Sequence, residues 1–359
     1  TDYLVLMKKM LLILCCWTLS LTIYAQKNTS ETPLSSENMT VLQAYEDSLQ
    51  HLFKKIRTSS EEKQRFAACY QFIPTLVKAL QTPNSYYFPF DSLENDISIL
   101  TSPDNKFRIF TWMVIEEKKS RLYTYKYFGA IQKNSEELQL MALNDKSTSV
   151  SSPKTAELNN EEWYGALYYD IQHYQHNNED FYLLFGWDAN TNRSDKKLAE
   201  VMYFKDDKAI FGLPVFEVLS MDGTTIDHRL LLEFKEGSSV NVSYNTDKQM
   251  IVYDFLTPED EEAASVGKNF AYVPDGTYLG MQFDQTEGLW KGVAKVFNHI
   301  TPVSSKPKPE LDDDKPAKKA PKVKTKEKKK TEKAKPTVPV VNKKYKRQMK
   351  KRKKKRGMF

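Results

Sequence analysis

Between Glu37 and Ile56, apolar residues recur three and four positions apart: Val41, Leu42, Tyr45, Leu49, Leu52, Phe53 and Ile56. That period predicts an amphipathic helix. Thr58, Ser59 and Ser60 then offer an N-cap, with Glu61 and Glu62 in a following first turn. A second helix is predicted from Phe66, Ala67, Cys69, Tyr70, Ile73, Leu76, Val77 and Leu80, with Pro74 as a place to kink or split. The two read as a hairpin, closed by an Asn/Pro/Ser turn at 83–85.

From about Ile97 the period becomes two. Runs at 107–114, 120–132 and 137–143 read as strands between polar turns. The alternation is clearest over 215–255. There, turns at Asp222-Gly223, Gly237 and Asn245–Lys248 divide four runs, which predicts a four-stranded antiparallel meander with one solvated face. Runs at 278–283 and 289–297 add further strands. About a dozen strands without βαβ alternation argue against a parallel nucleotide-binding sheet. The expected fold is mainly β with an N-terminal helical hairpin, an α+β chain whose antiparallel meander sheets form a sandwich, a large curled sheet or an irregular propeller.

Composition changes this picture at both ends. From Met7, the expected start of the reading frame, Lys8 and Lys9 precede an apolar run from Met10 to Leu21, and Ala25 follows. This is the layout of a cleaved secretory signal peptide. The apolar run is shorter than the roughly 20 residues that a spanning helix needs. Cys15 and Cys16 lie within it, so an exported chain keeps only Cys69, expected to be a buried small hydrophobe, and has no disulfide framework.

The net charge of +6 hides a division. Residues 306–359 hold 24 Lys and Arg against 6 Asp and Glu, whereas residues 27–305 hold 27 against 40. The basic segment is rich in Lys, Pro and Ala and reads as a disordered tail. Its densest part comprises Lys343, Lys344, Lys346, Arg347, Lys350, Lys351, Arg352, Lys353, Lys354, Lys355 and Arg356. On an exported chain that run fits an anionic surface (phospholipid, lipopolysaccharide or acidic polymer) or an acidic protein. Nucleic acid is the less fitting partner, because the run lacks interleaved aromatics. The expected organisation is a leader over 1–25, the helical hairpin over 26–90, the β domain over 91–303 and the tail over 304–359.

Candidate chemistry is sparse. Asp188, Asn190, Asn192 and Asp195 resemble the start of a calcium loop, but Arg193 and Ala199 stand where such loops need Gly and Glu. A polar turn explains the same residues. His173 and His176, with Glu179 and Asp180 nearby, read as a loop and lack the ligand set of a zinc site. Tyr123, Tyr125 and Tyr127 share one strand face, and with Trp163 and Trp187 they are candidates for stacking on a ligand; cross-strand packing is the commoner cause of such a stripe. No G-x-S-x-G, H-E-x-x-H or Walker motif occurs, and S-x-x-K at 151–154 lacks companion motifs. No cofactor is expected apart from the incomplete calcium pattern.

The stretches SPDNKFRIFTW, YKYFGAIQ, YLLFGWD, AIFGLPVFE and YVPDGTYLGMQF, spread over roughly 100–285, resemble β-rich exported proteins of Bacteroidetes-type Gram-negative bacteria. That resemblance implies an envelope location, periplasmic or outer, and carries over no catalytic residue. The expectation is a non-catalytic envelope protein, a binding or scaffold module tethered by its tail. An exported hydrolase using acids such as Asp188 or Asp170 is the alternative. A cytoplasmic RNA or ribosome binder follows only if the leader is retained.

Overall fold

The computed structural model describes residues 33–118, 122–135, 137–220, 223–260 and 269–293. The expected leader and basic tail lie outside them. Helix α1 (Ser36–Thr58) is capped by Ser35, whose side chain accepts from the Asn38 amide at 3.2 Å. Glu37 in its first turn and Lys55 and Arg57 in its last complement the helix dipole.

Helix α2 (Glu62–Leu80) departs from expectation twice. Its N-cap is Glu61, and no side chain caps it. The Thr58 hydroxyl turns back to the Lys54 carbonyl, and the carbonyls of Ser59 and Ser60 accept from the buried Arg65 guanidinium. Pro74 sits inside the helix without splitting it. A proline removes only its own amide bond, and Phe72, Leu76 and Leu80, buried on either side of it, hold the helix against the core.

Sixteen strands follow among the described residues. The larger sheet runs in the order β1 (Ser98–Thr101), β2 (Phe107–Lys118), β3 (Leu122–Lys133), β7 (Glu179–Thr191), β8 (Ser194–Lys205), β9 (Lys208–Phe211) and β5 (Leu158–Asn159). Three strands branch from it: β4 (Leu140–Asn144) on β3, β6 (Leu167–His176) on β7 and β12 (Arg229–Lys235) on β8. The smaller sheet is ordered β11 (Gly223–Asp227), β10 (Phe216–Ser220), β16 (Leu289–Val293), β15 (Tyr272–Asp284), β14 (Met250–Pro258) and β13 (Val242–Asn245). The β10–β16 ladder is parallel, and the others are antiparallel.

Strand alternation divides the interior into three cores. On β2, Phe110, Trp112 and Val114 face the helices, while Phe107 and Ile109 face the inside of the larger sheet. On β7 and β8, Leu184, Leu198 and Met202 join that inner core, while Leu183, Phe185, Ala199 and Val201 meet Phe216, Ile251, Met281 and Trp290 of the smaller sheet. The larger sheet thus curls around one core, with helices packed on one outer face and the smaller sheet on another. Each fully buried Leu, Ile or Phe contributes about 1.5–3 kcal/mol.

Two sequence expectations change. The run over 215–255 is not one meander. β12 leaves the smaller sheet and pairs with β8, from Arg229↔Glu200 to Lys235↔Ser194. Its alternation satisfies either sheet, and the buried ion pair between Arg229 and Glu200 fits only the larger one. The stretch around His173 is not a loop: β6 continues to His176 and forms a tight hairpin through Asn177 and Asn178, both at positive φ.

Candidate functional site

The strand β6 also curls back toward β1, and the gap between them opens into a groove of about 870 Å³. One wall is β1 itself. It pairs with β2 along one edge, Ser98↔Thr111 to Thr101↔Arg108. No backbone ladder joins its other edge to β6 among the described residues. Ser98 and Thr111, cross-strand partners, instead clip one residue of β6: the Ser98 hydroxyl donates to the Tyr168 carbonyl, and the Thr111 hydroxyl accepts the Tyr168 amide. The β6–β7 register shifts between Tyr168 and Asp170, a bulge that brings Tyr169 to the groove's edge while its hydroxyl donates to the Val242 carbonyl and its ring packs by Phe185 with the Lys197 ammonium 5.0 Å over it. Trp187 of β7, the partner of Leu167, lines the same end.

The opposite wall is the segment between α2 and β1, built from two short 3-10 turns, Ser85–Tyr87 and Asp91–Leu93. It is pinned from below. Arg108 is buried, with its guanidinium donating to the carbonyls of Phe88 (2.7 Å) and Ser85 (2.8 Å) and to Gln132 Oε1 (2.8 Å). It also lies 4.9–5.5 Å from the rings of Tyr86, Phe90 and Phe110. Burial lowers its pKa to about 9. The Glu46 carboxylate accepts the Ser92 amide at 2.8 Å, and burial raises its pKa. Arg57 pairs with Asp96 at 3.1 Å. Phe90, at φ 59°, holds a left-handed conformation that places its ring fully inside the core.

The exposed lining of the groove is mixed, with Tyr87, Tyr169, Asp91 and Glu94 beside Pro89, Asn95, Thr101, Asn105 and Asn134. Tyr87 and Tyr169 are 46% and 40% exposed. Asp91 and Glu94 are exposed on the rim.

Of the sequence candidates, Trp187 alone lines this groove. The tyrosine stripe does not form a binding face. Tyr123 is exposed, Tyr125 half-buried, and Tyr127 buried with its hydroxyl on Asp188 at 2.9 Å. Trp163 is fully buried; its indole donates to the Tyr168 hydroxyl at 2.8 Å. The face of β3 that carries Tyr127 turns inward because Gly165 packs against that ring: a Cβ on Gly165 would lie 2.5 Å from Tyr127 Cβ. Asp170 sits beside the bulge and accepts from its neighbours Ile171 and Gln172.

Asp188 is buried rather than presented to an ion. Oδ1 accepts from Tyr127 (2.9 Å) and the Asn190 amide (2.7 Å), and Oδ2 accepts from Tyr164 (2.8 Å). Asn190 binds the Lys196 ammonium through Oδ1 and Ser194 through Nδ2. Asp195 is half-buried, and its pKa is raised to about 6, first by burial and then by Glu236 and Asp188. Asn192 is exposed. The polybasic residues from Lys343 to Arg356 lie outside the described residues.

A second cluster was not legible as such. His173 and His176 point to different neighbours. His173 meets Asp180 at 2.8 Å and Asp104 at 3.8 Å, while His176 packs on Phe283. Asp104 arrives from the 102–107 turn and accepts the Tyr182 hydroxyl at 2.9 Å. Ligand atoms of Asp104, His173 and Asp180 lie within 4.8 Å of one another. The Lys106 ammonium already sits among them, on Asp180 and 3.4 Å from Asp104. Those contacts hold the Asp180 carboxyl below its ordinary range, with Lys106 as the first cause.

The groove's acidic and aromatic rim, Tyr86, Tyr87, Asp91, Glu94 and Tyr169, was missed by sequence reasoning. The run YYFPFDSLEND carries most of it, but only the curl of β6 toward β1 makes that run a wall. No helix among the described residues is long and apolar enough to cross a membrane. A comparison with protein-family models, curated proteins and solved structures finds no match to this chain.

Proposed function

We propose that this chain is a non-catalytic binding and scaffold protein of the bacterial envelope. Its β body presents the groove between β1 and β6, and its polybasic run at 343–356 attaches it to an anionic surface. The observation that carries this reading is the division of charge, 24 basic against 6 acidic residues over 306–359 beside an acidic body. Each Lys or Arg near an anionic surface contributes about 1 kcal/mol, and salt screens it over about 8–10 Å. Eleven such residues within 343–356 suffice for reversible attachment. The groove supports the binding half of the reading, since its walls are pinned in place before any ligand arrives.

The test is fractionation of cells expressing the full chain or a deletion of 343–359, with membranes washed at low and high salt and the mature N-terminus sequenced. The expected result is a mature chain beginning near Gln26 that leaves the pellet only at high salt, and a deleted chain that is already in the wash at low salt. A chain that retains Met7 and sediments with ribosomes overturns the reading, as does a deletion that stays membrane-bound.

A further inference from the structure

The groove between β1 and β6 presents no cation to a ligand. Arg108 is the one basic residue in its lining, and it is buried with Nε, Nη1 and Nη2 on Gln132, Phe88 and Ser85. A phosphate or an acidic polymer therefore finds no partner there. A peptide strand is no better served, because Ser98 and Thr111 clip Tyr168 of β6 over the edge of β1. The exposed lining is mostly uncharged, and Asp91 and Glu94 are its only exposed carboxylates.

The groove does offer unspent hydrogen-bonding atoms beside apolar surface. The side chains of Asp91, Glu94, Asn95, Thr101 and Asn105 are exposed and make no hydrogen bond or ion pair among the described residues. Asn134 spends only Nδ2, on the Asn105 carbonyl at 2.9 Å. Carboxylates accept, while amides and hydroxyls both donate and accept, so the matching ligand carries many groups that do both. Between these groups stands the Tyr87 ring, 46% exposed and set edge-on to Tyr86 at 5.5 Å. Ile99, Leu100, Leu167 and Trp187 lie half-buried beyond it. Tyr169 adds only an edge, since Val242 and Lys197 take its hydroxyl and one face of its ring.

Hydroxyls around the rim of a ring and C–H bonds on its faces are the chemistry of a sugar. Its C–H faces suit the negative π face of an aromatic side chain. We propose that the groove binds a neutral glycan, a short run of uncharged sugar rings laid against Tyr87 and Trp187. Asp91, Glu94, Asn95 and Asn105 receive its hydroxyls. The volume of about 870 Å³ falls within the range of ordinary ligand sites. The walls are also joined before a ligand arrives: the Tyr86 hydroxyl donates to the Asn105 carbonyl at 3.1 Å. This inference rests on the binding half of the function proposed above. It owes nothing to the basic run at 343–356, since an uncharged ligand gains nothing from lysines.

The test is titration of the full chain with maltohexaose, cellohexaose, mannohexaose and chitohexaose, followed by calorimetry and tryptophan fluorescence. At least one is expected to bind saturably with Kd below about 1 mM. Tyr87→Ala and Asn95→Ala, both at exposed positions, are each expected to weaken that binding about tenfold. Tyr123→Ala, which removes a similarly exposed tyrosine outside the groove, leaves it unchanged. Affinity is the same at low and high salt and after deletion of 343–359, so glycan binding and surface attachment fail separately. Absence of saturable binding by every sugar overturns the proposal, as does binding that Tyr87→Ala leaves intact. Hexalysine that binds more tightly than every sugar, and is lost in Tyr87→Ala, assigns the groove to a cationic peptide instead.

Discussion

Arg229 and Glu200 form an ion pair with no exposed side-chain surface, with Nε 2.5 Å from Oε2. They are direct cross-strand partners on β12 and β8. Tyr168 donates to the other Glu200 oxygen, and Arg229 Nη1 donates to the carbonyls of Pro153 and Ala156. Arg229 Nη2 has no hydrogen-bond partner among the described residues. A buried pair contributes little net stability over an apolar replacement, but removing one partner strands the other charge. Arg229→Met is therefore expected to cost about 3–5 kcal/mol. Adding Glu200→Gln recovers a large part of that loss. Urea unfolding of the two single variants and the double variant measures the coupling, and additive losses would show that the pair does not act as a unit.

Asp195 gives a pH dependence of definite sign. Burial, Glu236 and Asp188 raise its folded pKa to about 6, above the ordinary carboxylate value. Between those values the folded state holds a proton that the unfolded state has released. Stability from this group is therefore full below about pH 4 and falls as pH rises through about 6. Asp195→Asn removes the cost of the charge. The variant is expected to be more stable than the parent by about 1 kcal/mol at pH 7.5, a figure discounted for solvent screening. Below about pH 4 the two proteins converge. A constant difference across the pH range would assign the gain to packing instead.

How much of this was legible beforehand depends on whether a feature is local. The helices were readable because Leu42, Leu49, Phe53, Cys69 and Leu76 carry the period that the core demands, although the predicted stripe of the second helix left out the buried Phe72 and included the exposed Tyr70. The strands were readable for the same reason, down to the alternation of Phe107 and Ile109 against Phe110 and Trp112. Sheet membership was not. Leu230, Leu232 and Phe234 of β12 have the same period whichever sheet they join, and what commits them is Arg229 meeting Glu200, 29 residues away. The groove was invisible for a like reason. Tyr168 must reach Ser98 and Thr111 for the Tyr87 and Asp91 segment to become a wall, and those contacts span 57–70 residues. Trp187 was singled out for its ring, without any signal that placed it there.

Cys69 tests the packing of the helical core. Its thiol is fully buried, accepts from the Trp112 indole at 3.5 Å, and has its pKa pushed up to about 11 by burial. The thiolate is the reactive form, so at pH 8 only about one thiol in a thousand is activated, against roughly a quarter of free ones. Alkylation mapped to the Cys69 peptide is expected to be negligible in native buffer and to rise with denaturant along the global unfolding curve. Rapid native labelling would mean that α2 opens independently of the sheets.

Calcium provides the last test, at the 188–195 turn. A calcium loop needs several outward carboxylate and carbonyl oxygens free to meet one ion at 2.3–2.6 Å. Here both oxygens of Asp188 are spent on Tyr127, Tyr164 and the Asn190 amide, and Asn190 Oδ1 is spent on Lys196. The Lys196 ammonium, 3.6 Å from Asp188 Oδ2, already supplies the positive charge that an ion would bring. Binding calcium would require breaking two buried tyrosine hydrogen bonds, each bond to a charged group contributing about 1.5–3 kcal/mol. Millimolar calcium is therefore expected to leave the melting temperature unchanged, and chelator to have no effect. Tyr127→Phe, in contrast, lowers stability by about 1.5–3 kcal/mol, because it removes both the bond to Asp188 and the acceptor of the Ala189 amide. A melting temperature that climbs with calcium concentration would show an ion competing successfully with Lys196, because a ligand that binds only the folded state stabilises in proportion to the logarithm of its concentration.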